Sequence, residues 1–170
     1  AIFALSIPAA LFAAGYTAFL FRQAKGREFW GSSWLLPHLI VQSVVAGAAA
    51  LAILAPMLDG GLPALRVLGP LLGAWLCAHA LIARIESSPT HGSEHARRAA
   101  AEISRGAHAR DYLVNVQLLG TTLPLVLLVL FPLAGAVGPS LTLIASLFAL
   151  WGLFRWERMW TLAGQSVPLS

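Results

Sequence analysis

The chain has 170 residues, of which 58% are hydrophobic and 11% charged, and its mean hydropathy is +0.77. Soluble domains carry roughly 25% charged residues, so this composition excludes an ordinary soluble domain and indicates an integral membrane protein. The net charge of +4 does not indicate nucleic-acid binding, because the basic residues lie in short segments beside apolar stretches.

Five apolar stretches are each long enough to cross a bilayer, which takes about 20 mostly apolar residues. The first stretch ends at Arg22, the second at Asp59 and the third at Glu86. Residues 112–154 carry no charge, and the Pro- and Gly-containing run "FPLAGAVGPS" divides them into a hairpin. The sequence therefore predicts an all-α, polytopic membrane bundle with spans at residues 1–21, 34–58, 62–85, 112–131 and 140–160.

One extended polar segment, "SSPTHGSEHARRAAAEISRGAHARD", separates the third span from the fourth. Ser88 followed by Pro89 is typical of a helix N-cap and first position, and Gly106 is typical of a helix end. The Ala-rich run between them favours helix. We expect a short amphipathic helix at about residues 89–105, lying on the cytoplasmic surface.

Basic residues predict the orientation of the spans, because Lys and Arg collect on the cytoplasmic side of a membrane. Of the 11 basic residues, all but Arg66 lie in the first loop, the long polar segment or the C-terminal tail. The order of five spans places these three regions on one side. The N-terminus is therefore expected outside and the C-terminus in the cytoplasm.

The last span ends in the aromatic and charged run "WGLFRWERMWTLAGQSVPLS". Trp side chains beside charged residues are typical of the membrane–water interface, so Trp151, Trp156 and Trp160 are expected there. Gly164 is expected near the helix C-cap and Pro168 beyond the end of the helix.

Polar side chains inside the spans are the candidates for function, since they are costly in hydrocarbon. His38 and Gln42 lie one turn apart on one face of the second span, and His79 is expected at a similar depth on the third. Such a group could hydrogen-bond a quinone carbonyl, relay protons or ligate a haem b iron. Alternatively, each side chain simply bonds a backbone carbonyl or a neighbouring helix.

Three other features have ordinary structural explanations. Arg66 could extend its charge to the outer interface or serve a proton path, and Glu157 could belong to an interfacial ion cluster. His91 and His95 are four residues apart, but they lack the further Cys or carboxylate ligands of a zinc site, so no metal is expected. Cys77 is expected to pack within its span.

Three stretches of the chain resemble the NrfD/PsrC family of membrane subunits. They are "YTAFLFRQAKGREFWGSSWLLPHLIVQSVVAGAAAL", "GAHARDYLVNVQLLGTTLPLVLLVL" and "WERMWTLAGQSVPLS". The family comprises the polytopic subunits of polysulfide-reductase-type complexes and of alternative complex III. Its members have at least eight spans in two four-helix bundles. The resemblance implies that the five spans correspond to the fourth to eighth, with residues 1–21 ending the first bundle and 34–160 forming the second.

The resemblance also implies a function. Such a subunit holds no metal itself, exchanges electrons and protons with a quinol (menaquinol or ubiquinol), and docks a ferredoxin-like iron–sulfur subunit, often with a molybdopterin enzyme. It lies in the bacterial inner membrane. The family's quinone pocket lies toward the outer face and draws on the first bundle, so Tyr16 and the outer end of the first span are the local contributors. Arg66, His79 and Glu157 then become candidates for a proton route.

Two other functions stay open from the sequence. A cytochrome b type anchor would hold haem b between His38 and His79, and a transporter or assembly protein would need neither quinone nor an iron–sulfur partner. Neither covalent catalysis nor nucleic-acid binding is expected.

Overall fold

A computed structural model of the chain describes residues 2–59, 61–90 and 92–167, with side chains described from Leu5 onward. These ranges contain helices, short turns and no strand, so the all-α prediction is confirmed. The six longest helices in these ranges are α1 (Ile2–Arg22), α2 (Leu35–Leu54), α3 (Leu65–Glu86), α4 (Glu94–Ser104), α5 (residues 109–130) and α6 (Gly138–Ser166).

Five of these helices, all except α4, are long and apolar enough to cross a membrane. They coincide with the five predicted spans, although α6 runs on to Ser166 instead of ending at residue 160. This finding indicates an integral membrane protein. The loop between α1 and α2, the helix α4 and the C-terminal part of α6 pack together at one end of the molecule, which we call the loop end.

Helices α2, α3, α5 and α6 form a bundle, while α1 lies beside it. α1 contacts α2 and the turn Glu28–Gly31, and Ala18 near its C-terminal end is buried. Most of its large apolar side chains are exposed, including Phe12 and Phe19. An apolar helix with so little packing must be covered by lipid or by another protein. Its assignment to a separate bundle remains a prediction.

The first half of α5 is a π-helix, from Tyr112 to Thr122. The hydroxyl groups of Thr121 and Thr122 donate to the carbonyl oxygens five residues earlier, at 2.9 and 2.8 Å. Pro124, which has no N–H to donate, follows this stretch. π-Helical segments are usually single turns and often mark functional regions of a helix.

Two glycines allow α5 and α6 to touch through their backbones. A Cβ added to Gly120 would lie 2.3 Å from the Cα of Gly152, and one added to Gly152 would lie 2.4 Å from the Cα of Gly120. Small residues permit such an approach between helices in membranes, where packing and not the hydrophobic effect holds helices together. At the loop end the same two helices are joined by Arg155, which donates two hydrogen bonds to the Asp111 carboxylate.

The polar segment forms a shorter helix than predicted. α4 begins at Glu94, and its N-cap is Ser93, whose hydroxyl oxygen accepts from the Ala96 N–H at 3.2 Å. The prediction of Ser88 as N-cap was wrong, because residues 87–90 form a turn and Gly92 adopts φ +83° before the helix starts. α4 buries Ala99, Ala100 and Ile103 against the loop end of the bundle.

The C-terminal predictions need two further corrections. Trp156 and Trp160 are 1% and 4% exposed, so they belong to the protein core and not to an interfacial belt, whereas Trp151 is exposed. Gly164 lies inside α6 and is not its C-cap. An added Cβ there would overlap the Trp30 indole, and its carbonyl accepts a 2.7 Å hydrogen bond from Arg27. The predicted position of Pro168 falls outside the described residues.

Replacing Gly120 with leucine should force α5 and α6 apart, because the side chain has no space between the two backbones. Overpacking of this kind costs at least about 2 kcal/mol, which thermal unfolding in lipid nanodiscs would detect as a lower Tm. Gly47→Leu is the matched control, since a Cβ at exposed Gly47 meets no heavy atom within 4 Å. An equal decrease in Tm in both variants would contradict the close approach of the two helix backbones at Gly120.

Candidate functional site

Three ionisable side chains meet inside the loop half of the bundle. His38 of α2 forms a 2.5 Å contact through Nδ1 to Oε2 of Glu86, and a 2.8 Å contact through Nε2 to Nδ1 of His79. Both histidines are 2% exposed, and the Glu86 side chain is 1% exposed. The Glu86–His38–His79 array therefore forms one continuous hydrogen-bonded chain that is shielded from bulk solvent.

Helix geometry explains why these residues meet. His79 and Glu86 are two turns apart on α3, so both side chains lie on the same face of the helix. That face packs against α2, where His38 lies between them. One imidazole carries a nitrogen on each side of its ring, so His38 can contact both partners at once.

The array can pass a proton in either of two arrangements. An ionised Glu86 accepts a hydrogen bond from Nδ1–H of His38, whose Nε2 then accepts from Nδ1–H of His79. A protonated Glu86 donates to Nδ1 of His38, whose Nε2–H then donates to His79. The two arrangements differ in the direction of every hydrogen bond. Such a reversible chain is the arrangement that proton relays require.

Aromatic rings enclose the array. The Trp156 ring lies 5.3 Å from the His38 ring and 6.1 Å from the His79 ring, centroid to centroid. The Tyr112 ring also packs against Trp156, with 5.9 Å between the ring centroids. The Tyr112 hydroxyl oxygen accepts a 3.2 Å hydrogen bond from the Ser87 hydroxyl. These large side chains from α5 and α6 exclude water from the imidazoles and fix their orientation.

Gln42 and Glu157 lie beside the array. Gln42 is buried on the same face of α2 as His38, and Glu157 of α6 sits next to it at the exposed edge of the bundle. The enclosed space among Gln42, Glu157 and His38 is about 10 Å³. A single water needs about that volume, so a quinone ring does not fit between these residues in this arrangement.

The other two predicted residues lie apart from the array. Tyr16 is 56% exposed on the outward surface of α1. Arg66 is near the start of α3, and at 1.5 Å per residue it lies about 20 Å along the helix from His79. Arg66 instead lines an apolar groove of about 780 Å³ between α3 and α5, together with Gly69 and Gly73. The structure thus brings together His38, Gln42, His79 and Glu157, and leaves Tyr16 and Arg66 outside.

The two histidines do not fit the haem b alternative. Iron between two imidazoles separates their ligating nitrogens by roughly 4 Å, twice a metal–nitrogen bond of about 2 Å. The facing nitrogens of His38 and His79 are 2.8 Å apart and hydrogen-bonded to each other. Within the described ranges no group of three such side chains is placed to hold a metal ion, and His91 lies outside those ranges.

The sequence reasoning missed Glu86. Glu86 ends the third span, two residues after Arg84, and an exposed carboxylate is ordinary at such a position. A signal was present, since Glu86 lies seven residues after His79 and so shares its face of the helix. Arg84, two residues earlier, is exposed on another face.

Comparison with known proteins adds no information about the site: the chain matches no protein-family model, no curated protein and no solved structure.

Replacing His38 with alanine should destabilise the fold strongly, because it leaves the Glu86 carboxylate buried without its partner. Breaking a buried pair in this way costs about 3–5 kcal/mol, measurable by chemical unfolding in detergent. The double change His38→Ala with Glu86→Leu should recover most of that loss, since it replaces both partners of the contact by apolar side chains.

The exposed pair between Glu94 and Arg98 provides the control, because both side chains are 67% exposed. Glu94→Gln should change the free energy of unfolding by no more than about 0.5 kcal/mol. A loss in the His38 variant as small as this would show that Glu86 is not enclosed.

Proposed function

We propose that this chain is a membrane subunit of a quinone-linked electron-transfer complex, and that its part is to conduct protons through the Glu86–His38–His79 array. The array is the observation that carries the proposal. Ionisable groups inside a membrane bundle are expensive, and hydrogen-bonded chains of carboxylates and imidazoles serve as proton relays in pumps and transporters.

The geometry supports a complete transfer step. In the arrangement with protonated Glu86, the proton on Oε2 moves to Nδ1 of His38 while the proton on Nε2 of His38 moves to Nδ1 of His79. One O–H and one N–H bond break, and two N–H bonds form. Glu86 becomes a carboxylate and His79 an imidazolium, so one positive charge advances across His38 without any electron transfer.

Gln42 and Glu157 extend this route toward the edge of the bundle. Glu157 can accept a proton there, and Gln42 can donate a hydrogen bond to its carboxylate. Their position at the packed junction of α2 and α6 supports a proton role better than a quinone-binding role, because the adjoining space holds at most one water.

Support for the quinone link comes from the resemblance to the NrfD/PsrC subunits. Under this proposal a quinol headgroup meets the chain at α1, where Tyr16 presents an exposed hydroxyl. Electrons pass to a ferredoxin-like iron–sulfur subunit, with or without a molybdopterin subunit. The complex lies in the bacterial inner membrane, with the loop end on the cytoplasmic side.

Purification of the complex through an affinity tag on this chain tests the proposal. We expect an iron–sulfur subunit to copurify and its clusters to be reduced by a menaquinol or ubiquinol analogue, as followed by electron paramagnetic resonance. A b-type haem band in the reduced-minus-oxidised spectrum, or purification without an iron–sulfur partner, would contradict it.

The proton role is tested in the same complex by Glu86→Gln. The amide preserves the shape of the side chain but cannot exchange a proton, so quinol-dependent proton movement in proteoliposomes should fall by about 100-fold, the lower range for loss of a positioned proton-transfer group. Glu94→Gln, on the exposed face of α4, should leave it unchanged. Wild-type proton movement in Glu86→Gln would exclude the array as the route.

A further inference from the structure

A second cavity lies directly against the array. It has a volume of about 460 Å³ and lies among the α1–α2 loop, the C-terminal end of α3 and the start of α4. Its outer wall includes Glu28 and Ser33, which are exposed, so the cavity is open at the loop end. Its inner end reaches Glu86. We call it the loop-end cavity.

The lining of the loop-end cavity is mixed and carries more polar groups than the groove at Arg66. Four hydroxyl groups and two carboxylates contribute to it, from Ser32, Ser33, Ser88, Ser93, Glu28 and Glu86. The larger groove at Arg66 differs, because apolar side chains of α3 and α5 form most of its wall. Roomy cavities with polar groups in their walls hold water, and this one has space for many water molecules.

Glu86 lines the cavity and has one oxygen without a partner among the described residues. Its Oε2 contacts His38, whereas its Oε1 is buried and has no hydrogen-bond partner within the described residues. A buried oxygen without a partner is costly and rare in folded proteins. A chain of water entering from the cavity would supply the missing partner and would connect the array to bulk solvent.

We propose that the loop-end cavity is an aqueous vestibule through which protons from the loop side reach Oε1 of Glu86. A hydronium in the vestibule gives up one O–H bond, and an O–H bond forms on Glu86, which becomes neutral. Rotation of the carboxyl group then presents that proton to His38. This inference rests on the proposed relay, whose entrance it identifies, but its test requires no turnover.

The inference assigns a role to α4. Ala96 and Ala100 of this helix line the cavity. Ser93, which is the N-cap of the helix, lines it as well. The buried residues Ala99 and Ile103 hold α4 against the bundle. The helix therefore forms one wall of the vestibule, and its small side chains leave the passage open.

Cysteine labelling tests whether the vestibule is wet. In the assembled complex, with Cys77→Ala as background, Ser88→Cys should react with a membrane-impermeant methanethiosulfonate at least about tenfold faster than Leu81→Cys, because thiols react as thiolates, which form in water. Leu81 is the control, since it lies on α3 shortly before the helix ends and its side chain is 62% exposed on an apolar span. Equal rates would overturn the proposal.

Blocking the passage tests whether it leads to Glu86. A water-soluble carbodiimide should label Glu86, as read by peptide mass spectrometry, and a bulky thiol adduct at Ser88→Cys should lower that labelling about tenfold by filling space otherwise open to water. Glu94, outside the cavity, should be labelled equally in both samples. Unchanged labelling of Glu86 would show that protons enter elsewhere.

If Ser88→Cys does not assemble, Ser33→Cys at the exposed rim carries the same adduct into the same opening. The outcomes separate the two proposals. If the adduct lowers labelling of Glu86 but the complex does not react with quinol, the vestibule is supported and the quinone-linked function is excluded. If the adduct leaves labelling of Glu86 unchanged in a complex whose proton movement needs Glu86, only the vestibule is excluded.

Discussion

Enclosing the Glu86 carboxylate within an apolar bundle is the constraint on which the arrangement of α2 and α3 depends. Burial of an unpaired charge costs several kcal/mol, so a partner must come from the facing helix. His38 supplies it, and its second ring nitrogen then requires a partner of its own, which is His79. Three residues thus fix the rotation and the register of two helices.

Trp156 connects this pair of helices to the rest of the bundle. It is 1% exposed and contacts both imidazoles and the Tyr112 ring, so α6 and α5 are positioned against the array. The Gly120–Gly152 crossing then sets how closely α5 and α6 approach. Toward the opposite end, α3 and α5 form the walls of the groove at Arg66.

The spans were predictable because one physical requirement, the burial of apolar segments in hydrocarbon, determines where they lie. Each segment must bury its backbone and apolar side chains in hydrocarbon, and the chain between spans must carry the charges, so hydropathy and basic residues sufficed. Local signals were less decisive. Ser88 and Ser93 are chemically equal caps, and the left-handed conformation of Gly92 determines which of them starts α4. Gly164 reads as a helix end, although its role is to make room for Trp30.

Glu86 shows what sequence reasoning cannot recover. A carboxylate at the end of a span is ordinarily exposed, and only its neighbours on α2 make it a buried group. His38 and His79 were recognisable as intramembrane polar residues, yet the sequence offered no way to tell a quinone ligand from a relay member. That distinction depends on the space left beside them, which the packing of α6 reduces to about 10 Å³.

The position of Glu86 between the hydrogen-bonded array and the loop-end cavity sets the direction of proton transfer under the proposed mechanism. Glu86 contacts His38 with one oxygen, leaves the other without a partner among the described residues, and lines the loop-end cavity, so the same residue belongs to both environments. The two oxygens therefore have different surroundings: one is bound to the imidazole of His38, and the other has no partner within the described part of the chain and is available to a proton donor. A carboxyl group placed in this way can receive a proton on one oxygen and pass a proton on from the other.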